Sequence, residues 1–159
     1  KEIKIFKFLN NFCQKNDFKL YLLGRKKIEE EEFYRAKYAK GNWKYLPTKK
    51  HSEDSYKIIN DHQMIVFTHA SLGFEALSKN IRCAVFYPFF PERSGHKLFK
   101  RKGPFWTNSE NYIDFKKLMN KTLNYSNKEW NLYYKKYISK IIQYDPNNRK
   151  KKKIINKLK

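Results

Sequence analysis

Four short apolar runs, at residues 18–23, 43–46, 63–68 and 82–87, constrain this chain more than any other feature. Runs of that length, bounded by Gly, Pro or polar clusters, read as strands buried on both faces. They close at Gly24-Arg25, Pro47-Thr48, His69-Ala70 and Pro88. Residues 28–40 and 52–59 lie between them with helical character, and residues 71–77 turn into a further helix. Ahead of the first run, Ile3, Phe6, Leu9, Phe12 and Cys13 recur at helical spacing and predict a helix over residues 1–15. Strand and helix alternating over short connections predict an α/β domain built on a doubly wound parallel sheet.

After Pro88 the pattern changes. Residues 88–109 read as a Pro-, Gly- and basic-rich loop, followed by helical stretches at 110–123 and 127–142. Asp145-Pro146-Asn147-Asn148 is a turn into the basic run 149–153. The expected organisation is therefore a domain over residues 1–109, packing helices of the same domain over 110–145, and a basic tail over 146–159. At 159 residues the chain supports one domain with a core, and its start at Lys1 inside a helical pattern reads as a piece of a longer protein. Trp106, Trp130, Tyr133, Tyr134 and Tyr137 partly follow helical spacing, which fits core packing better than a base-stacking platform.

The formal net charge of +21 raises nucleic-acid binding as an alternative function, that of a basic non-enzymatic module. The lysines, however, are spread along the chain, as expected of solvated faces, so no specific nucleic-acid partner is expected. No stretch approaches the ~20 apolar residues that span a bilayer, and the start lacks a signal-peptide pattern. A cytoplasmic location is expected. The tail, with Ile154, Ile155 and Leu158 after its basic run, offers contact with an anionic inner-membrane surface, each basic residue contributing about 1 kcal/mol there. Cys13 and Cys83 sit in apolar runs without metal-ligand spacing and read as buried, reduced thiols, so neither a metal nor a cofactor is expected.

In an open parallel sheet, ligands bind at the carboxyl ends of the strands. That rule makes Gly24-Arg25, Pro47-Thr48, His69-Ala70-Ser71 and Tyr87-Pro88 one rim. Ser71 is expected to cap a helix whose amides and dipole face the rim. Gly73 falls in the first turn, where it costs ~0.5–1 kcal/mol relative to alanine, and close approach of a ligand phosphate would account for it. Glu75 is one residue out of register for a capping box, because the position three after Ser71 is Phe74. It is left with an exposed pair to Lys79 or a pair of ribose hydroxyls as partners. His69 reads either as a contact to phosphate or sugar, or as a turn histidine bonded to its own backbone. Glu92, Arg93, Ser94 and His96 read as a solvated loop ahead of a donor clamp.

The segment from Asp61 to Leu77, with Val66-Phe67-Thr68-His69-Ala70-Ser71-Leu72-Gly73-Phe74-Glu75-Ala76-Leu77 at its centre, resembles the "D-x-x-x-V…S-T-L-G-Y-E-A-L" stretch of GT-B glycosyltransferases of bacterial surface-carbohydrate synthesis. Residues 82–86 are similar to that family's next strand. The resemblance implies a Rossmann-like GT-B half that binds a nucleotide-activated sugar donor. It implies Ser71, Leu72 and Gly73 at the nucleotide phosphates, Glu75 on the ribose, and Arg25 as a further phosphate partner. Ala70 departs from the pattern, where a second hydroxyl is frequent. The catalytic base and acceptor site would belong to an N-terminal half outside this chain, and no catalytic residue is assigned within it. A sugar epimerase of the same architecture is the third reading.

Overall fold

The computed structural model describes residues 2–24, 28–38, 41–47, 52–86, 102–139 and 141–142. Strand and helix alternate as the sequence predicts: α1 (Glu2–Lys15), β1 (Leu20–Gly24), α2 (Ile28–Tyr38), β2 (Trp43–Pro47), α3 (Ser52–Asn60), β3 (Ile65–Phe67), α4 (Ser71–Ser78) and β4 (Cys83–Phe86). A two-residue strand β5 (Trp106–Thr107) follows, then α5 (Tyr112–Asn124) and α6 (Asn127–Tyr133), which widens into a π-helical turn at Tyr134–Ile138. Among the described residues, no helix is long and apolar enough to cross a membrane.

Among the described residues all strand pairs are parallel, but they form two sheets. β1 pairs β2 with Leu22 opposite Tyr45, while β3, β4 and β5 pair with Val66 opposite Ala84 and Val85 opposite Trp106. The sequence predicts one doubly wound sheet. Instead, β1 and β3 are not hydrogen-bonded to each other, and both line an apolar cavity between the sheets. Apolar runs specify which residues leave water, and they do not specify whether neighbouring strand edges join. β5 lies inside the segment read as loop, since two residues are too few to show alternation.

The strands feed two cores by the two-residue alternation of their side chains. Ala84 and Phe86 of β4 join Ile5, Phe6 and Phe12 of α1, Trp43 and Tyr45 of β2, and Phe115 and Met119 of α5. The Phe86 and Phe115 rings stack at 4.5 Å. Cys83 and Val85 face the other way, into a core with Ile59 of α3, Ala76 and Leu77 of α4, Trp130 of α6 and Ile138. Leu22 and Val66 pack on the first core, Leu23 and Ile65 on the second, so residues of both sheets contribute to each. Burial raises the Cys13 thiol to about 11 and pushes the Cys83 thiol further up, so both stay protonated at neutral pH.

The C-terminal helices fix α4. Asn80, with φ 63°, takes the left-handed position that ends α4, and Ile81 N–H closes back on the Ala76 carbonyl at 3.0 Å. Trp130 Nε1 donates to the Asn80 carbonyl and Tyr134 Oη to the Ser78 carbonyl, each at 2.9 Å. Carbonyls left over at the end of α4 are thereby satisfied by α6 and the turn after it. α6 itself opens with a reciprocal capping box between Ser126 and Glu129, and its Trp130 ring packs edge-on to Phe105 at 5.1 Å.

Candidate functional site

The cavity between the sheets has a volume of about 450 Å³. Leu20, Leu22 and Leu23 line it from β1, Ile65 and Phe67 from β3, and Ile5, Leu9 and Phe12 from α1. At the carboxyl ends of the strands its wall includes Leu46, Thr68, Ala70, Leu72 and Gly73, together with Glu2 and Lys37. A mostly apolar cleft with a few polar groups is the usual make-up of a small-molecule site. This one reaches the end of the strands where such sites occur in open parallel sheets.

Beside that rim α4 begins, one residue earlier than expected. Ala70, not Ser71, is the cap residue, in extended conformation (φ −68°, ψ 131°), and its side chain makes no capping hydrogen bond. Ser71 is the first helical residue, and it is exposed. The apolar packing of α4 on β3 sets this register, because it requires Gly73, Ala76 and Leu77 to face inward. The Gly73 amide already donates to the Ala70 carbonyl at 3.0 Å. In a helix start of this kind, the amides that still point outward are those of the first two residues, Ser71 and Leu72.

Gly73 has a packing reason that the sequence reading missed. A Cβ built on it would lie 2.2 Å from Cγ of Phe67, so the helix can sit this close to the strand only because residue 73 lacks a side chain. Close approach is real, but the partner is the Phe67 ring. Glu75 is half-buried, and its Oε2 accepts a hydrogen bond from the Tyr56 hydroxyl of α3. Lys79 places its ammonium 3.4 Å from the Tyr56 ring centroid, so Glu75 and Lys79 of α4 both engage the same tyrosine. Tyr56 was not singled out from the sequence, where nothing connects it to a residue nineteen positions away.

His69 is exposed, with Nδ1 2.9 Å from the Thr68 hydroxyl and Nε2 3.8 Å from Glu2 Oε1. Its ring is therefore engaged by two side chains at the cavity rim, not by its own backbone alone. Glu2 also accepts from Lys37 Nζ at 3.0 Å, which raises the lysine above its ordinary value through that hydrogen bond. Neither Glu2 nor Lys37 carries a signal in the sequence, where one opens a predicted helix and the other is a lysine among many. Arg25, the loop residues Glu92, Arg93, Ser94 and His96, and the basic tail lie outside the described residues.

A family model described as "putative O-antigen biosynthesis protein" matches residues 1–159. No curated protein and no solved structure matches the chain.

Proposed function

Because the chain belongs to this O-antigen biosynthesis family, we propose that it is the nucleotide-sugar-binding half of a glycosyltransferase that builds a bacterial surface polysaccharide. The observation that carries the reading is the position of α4. Its side-chain-uncapped start follows β3 directly, at the carboxyl end of a parallel strand, and Leu72 lines the cleft between the sheets. The amides of Ser71 and Leu72 receive a donor phosphate, and Gly73 lets the helix approach β3. Glu75, oriented by Tyr56, accepts from the two ribose hydroxyls. Such a site contributes positioning and charge stabilisation; the acceptor and catalytic base belong to a further half of the enzyme. Arg25 adds a phosphate contact, and the basic tail holds the enzyme at the anionic inner leaflet.

The ribose contact tests this reading. A carboxylate that loses one hydroxyl partner is left with an unmade bond worth ~1–3 kcal/mol. The protein should therefore bind a ribonucleoside diphosphate roughly ten- to a hundredfold more tightly than its 2′-deoxy analogue. Glu75→Gln should erase most of that preference in calorimetric titration. A ribo-to-deoxy ratio unchanged by the substitution overturns the assignment.

A further inference from the structure

An ammonium and an imidazole from different elements converge on one carboxylate at the cavity rim. Glu2 Oε2 accepts from Lys37 Nζ at 3.0 Å, while Oε1 lies 3.8 Å from His69 Nε2. Lys37 belongs to α2, which packs on the β1–β2 sheet, and His69 follows β3 of the other sheet. The carboxylate thus spans the seam between the sheets. Glu2, Lys37 and His69 keep 41%, 31% and 47% of their side-chain surface in solvent, so a solute can reach all three. Glu2 and Lys37 line the same cavity as Leu72 and Gly73.

We propose that Lys37 and His69 form an anion subsite, occupied internally by the Glu2 carboxylate, at which a diphosphate group replaces Glu2. This extends the nucleotide-sugar reading from the start of α4 to the turn before it and to α2, and rests on it for the identity of the diphosphate's carrier. Carboxylate and phosphate oxygens accept the same charge-assisted hydrogen bonds, and a diphosphate brings more charge and more acceptors to them. Two oxygens of one carboxylate already divide between the ammonium and the imidazole, which is the arrangement a bridging anion reproduces over a longer span. Glu2 then acts as a built-in competitor, so removing its charge strengthens anion binding. A purely structural pair would not produce that result.

Calorimetric titration of the full chain with inorganic pyrophosphate, which carries neither base nor sugar, tests the subsite. Glu2→Gln should bind roughly three- to fivefold more tightly than the wild type, and Lys37→Met roughly tenfold more weakly. Lys117→Met, on the exposed face of α5, should bind like the wild type and so controls for general attraction to a positive chain. All three substituted side chains are at least partly exposed, and circular dichroism checks that each variant is folded. Equal affinities for the wild type, Glu2→Gln and Lys37→Met overturn the proposal, as does a loss in Lys117→Met equal to that in Lys37→Met. If only the nucleotide-sugar reading is wrong, the pyrophosphate pattern stands while the ribose preference fails to respond to Glu75.

Discussion

Replacing Gly73 with alanine separates two accounts of why a glycine stands in the first turn of α4. At an ordinary helical position the change should stabilise the protein by ~0.5–1 kcal/mol, because glycine loses more backbone freedom on folding. Here the new methyl carbon would fall 2.2, 2.4 and 2.5 Å from Cγ and the two Cδ atoms of Phe67. These are the root atoms of the ring, so a small swing of a flexible end cannot relieve them. Phe67 is also held in place, 7% exposed and packed edge-on to Phe74 at 5.2 Å. Overpacking of this kind costs ~1–3 kcal/mol. After the helical gain is subtracted, Gly73→Ala should lose roughly 0.5–2 kcal/mol, read as a lowered urea midpoint at unchanged slope. In a Phe67→Leu background the methyl group has room, and the same substitution should become neutral or stabilising, a coupling of about 1 kcal/mol or more between the two sites. A raised midpoint for Gly73→Ala in the wild-type background would refute the packing account, and so would an equal cost in both backgrounds.

Three further outcomes follow from the structure. Trp130→Phe keeps the aromatic contact to Phe105 but strips the donor from the Asn80 carbonyl; it should cost about 1–3 kcal/mol, and an unchanged melting temperature would show that α6 does not secure the end of α4. Asp114 is held down to about 2, first by its hydrogen bond from Lys102 and then by Ser109. Because its folded value lies below its ordinary 3.8, its stabilising contribution is complete above about pH 4 and disappears as the pH falls towards 2. Asp114→Asn should flatten that acid limb of the stability profile, and an identical limb in both proteins would contradict the assignment. Deleting residues 149–159 should reduce co-sedimentation with anionic liposomes; equal binding by both forms would mean that the tail is merely solvated.

What the sequence made legible here is what burial controls. Apolar runs and helical periodicity located β1 to β4 and the helices around them, because each run must leave water whatever its neighbours do. β5 was hidden for the same reason: Trp106 and Thr107 are buried, but two residues cannot display a period. The parallel pairing followed from the connections, whereas the break between β1 and β3 did not, since no local pattern encodes whether two strand edges meet. At the site, the turn from Thr68 to Gly73 was recognisable because caps, glycines and strand ends are local signals. The side-chain partners were not. Glu75 meets Tyr56 across nineteen positions, and Glu2 meets Lys37 across thirty-five. Ser71 was misjudged as the cap because capping chemistry favoured it locally, while packing of Gly73 against Phe67 set the helix register one residue earlier. That difference bears on the proposed phosphate site. With Ala70 as the cap residue, the cap position itself carries no hydroxyl to compete for the first amides of α4, and the amides of Ser71 and Leu72 stay directed outward at the rim where β3 ends.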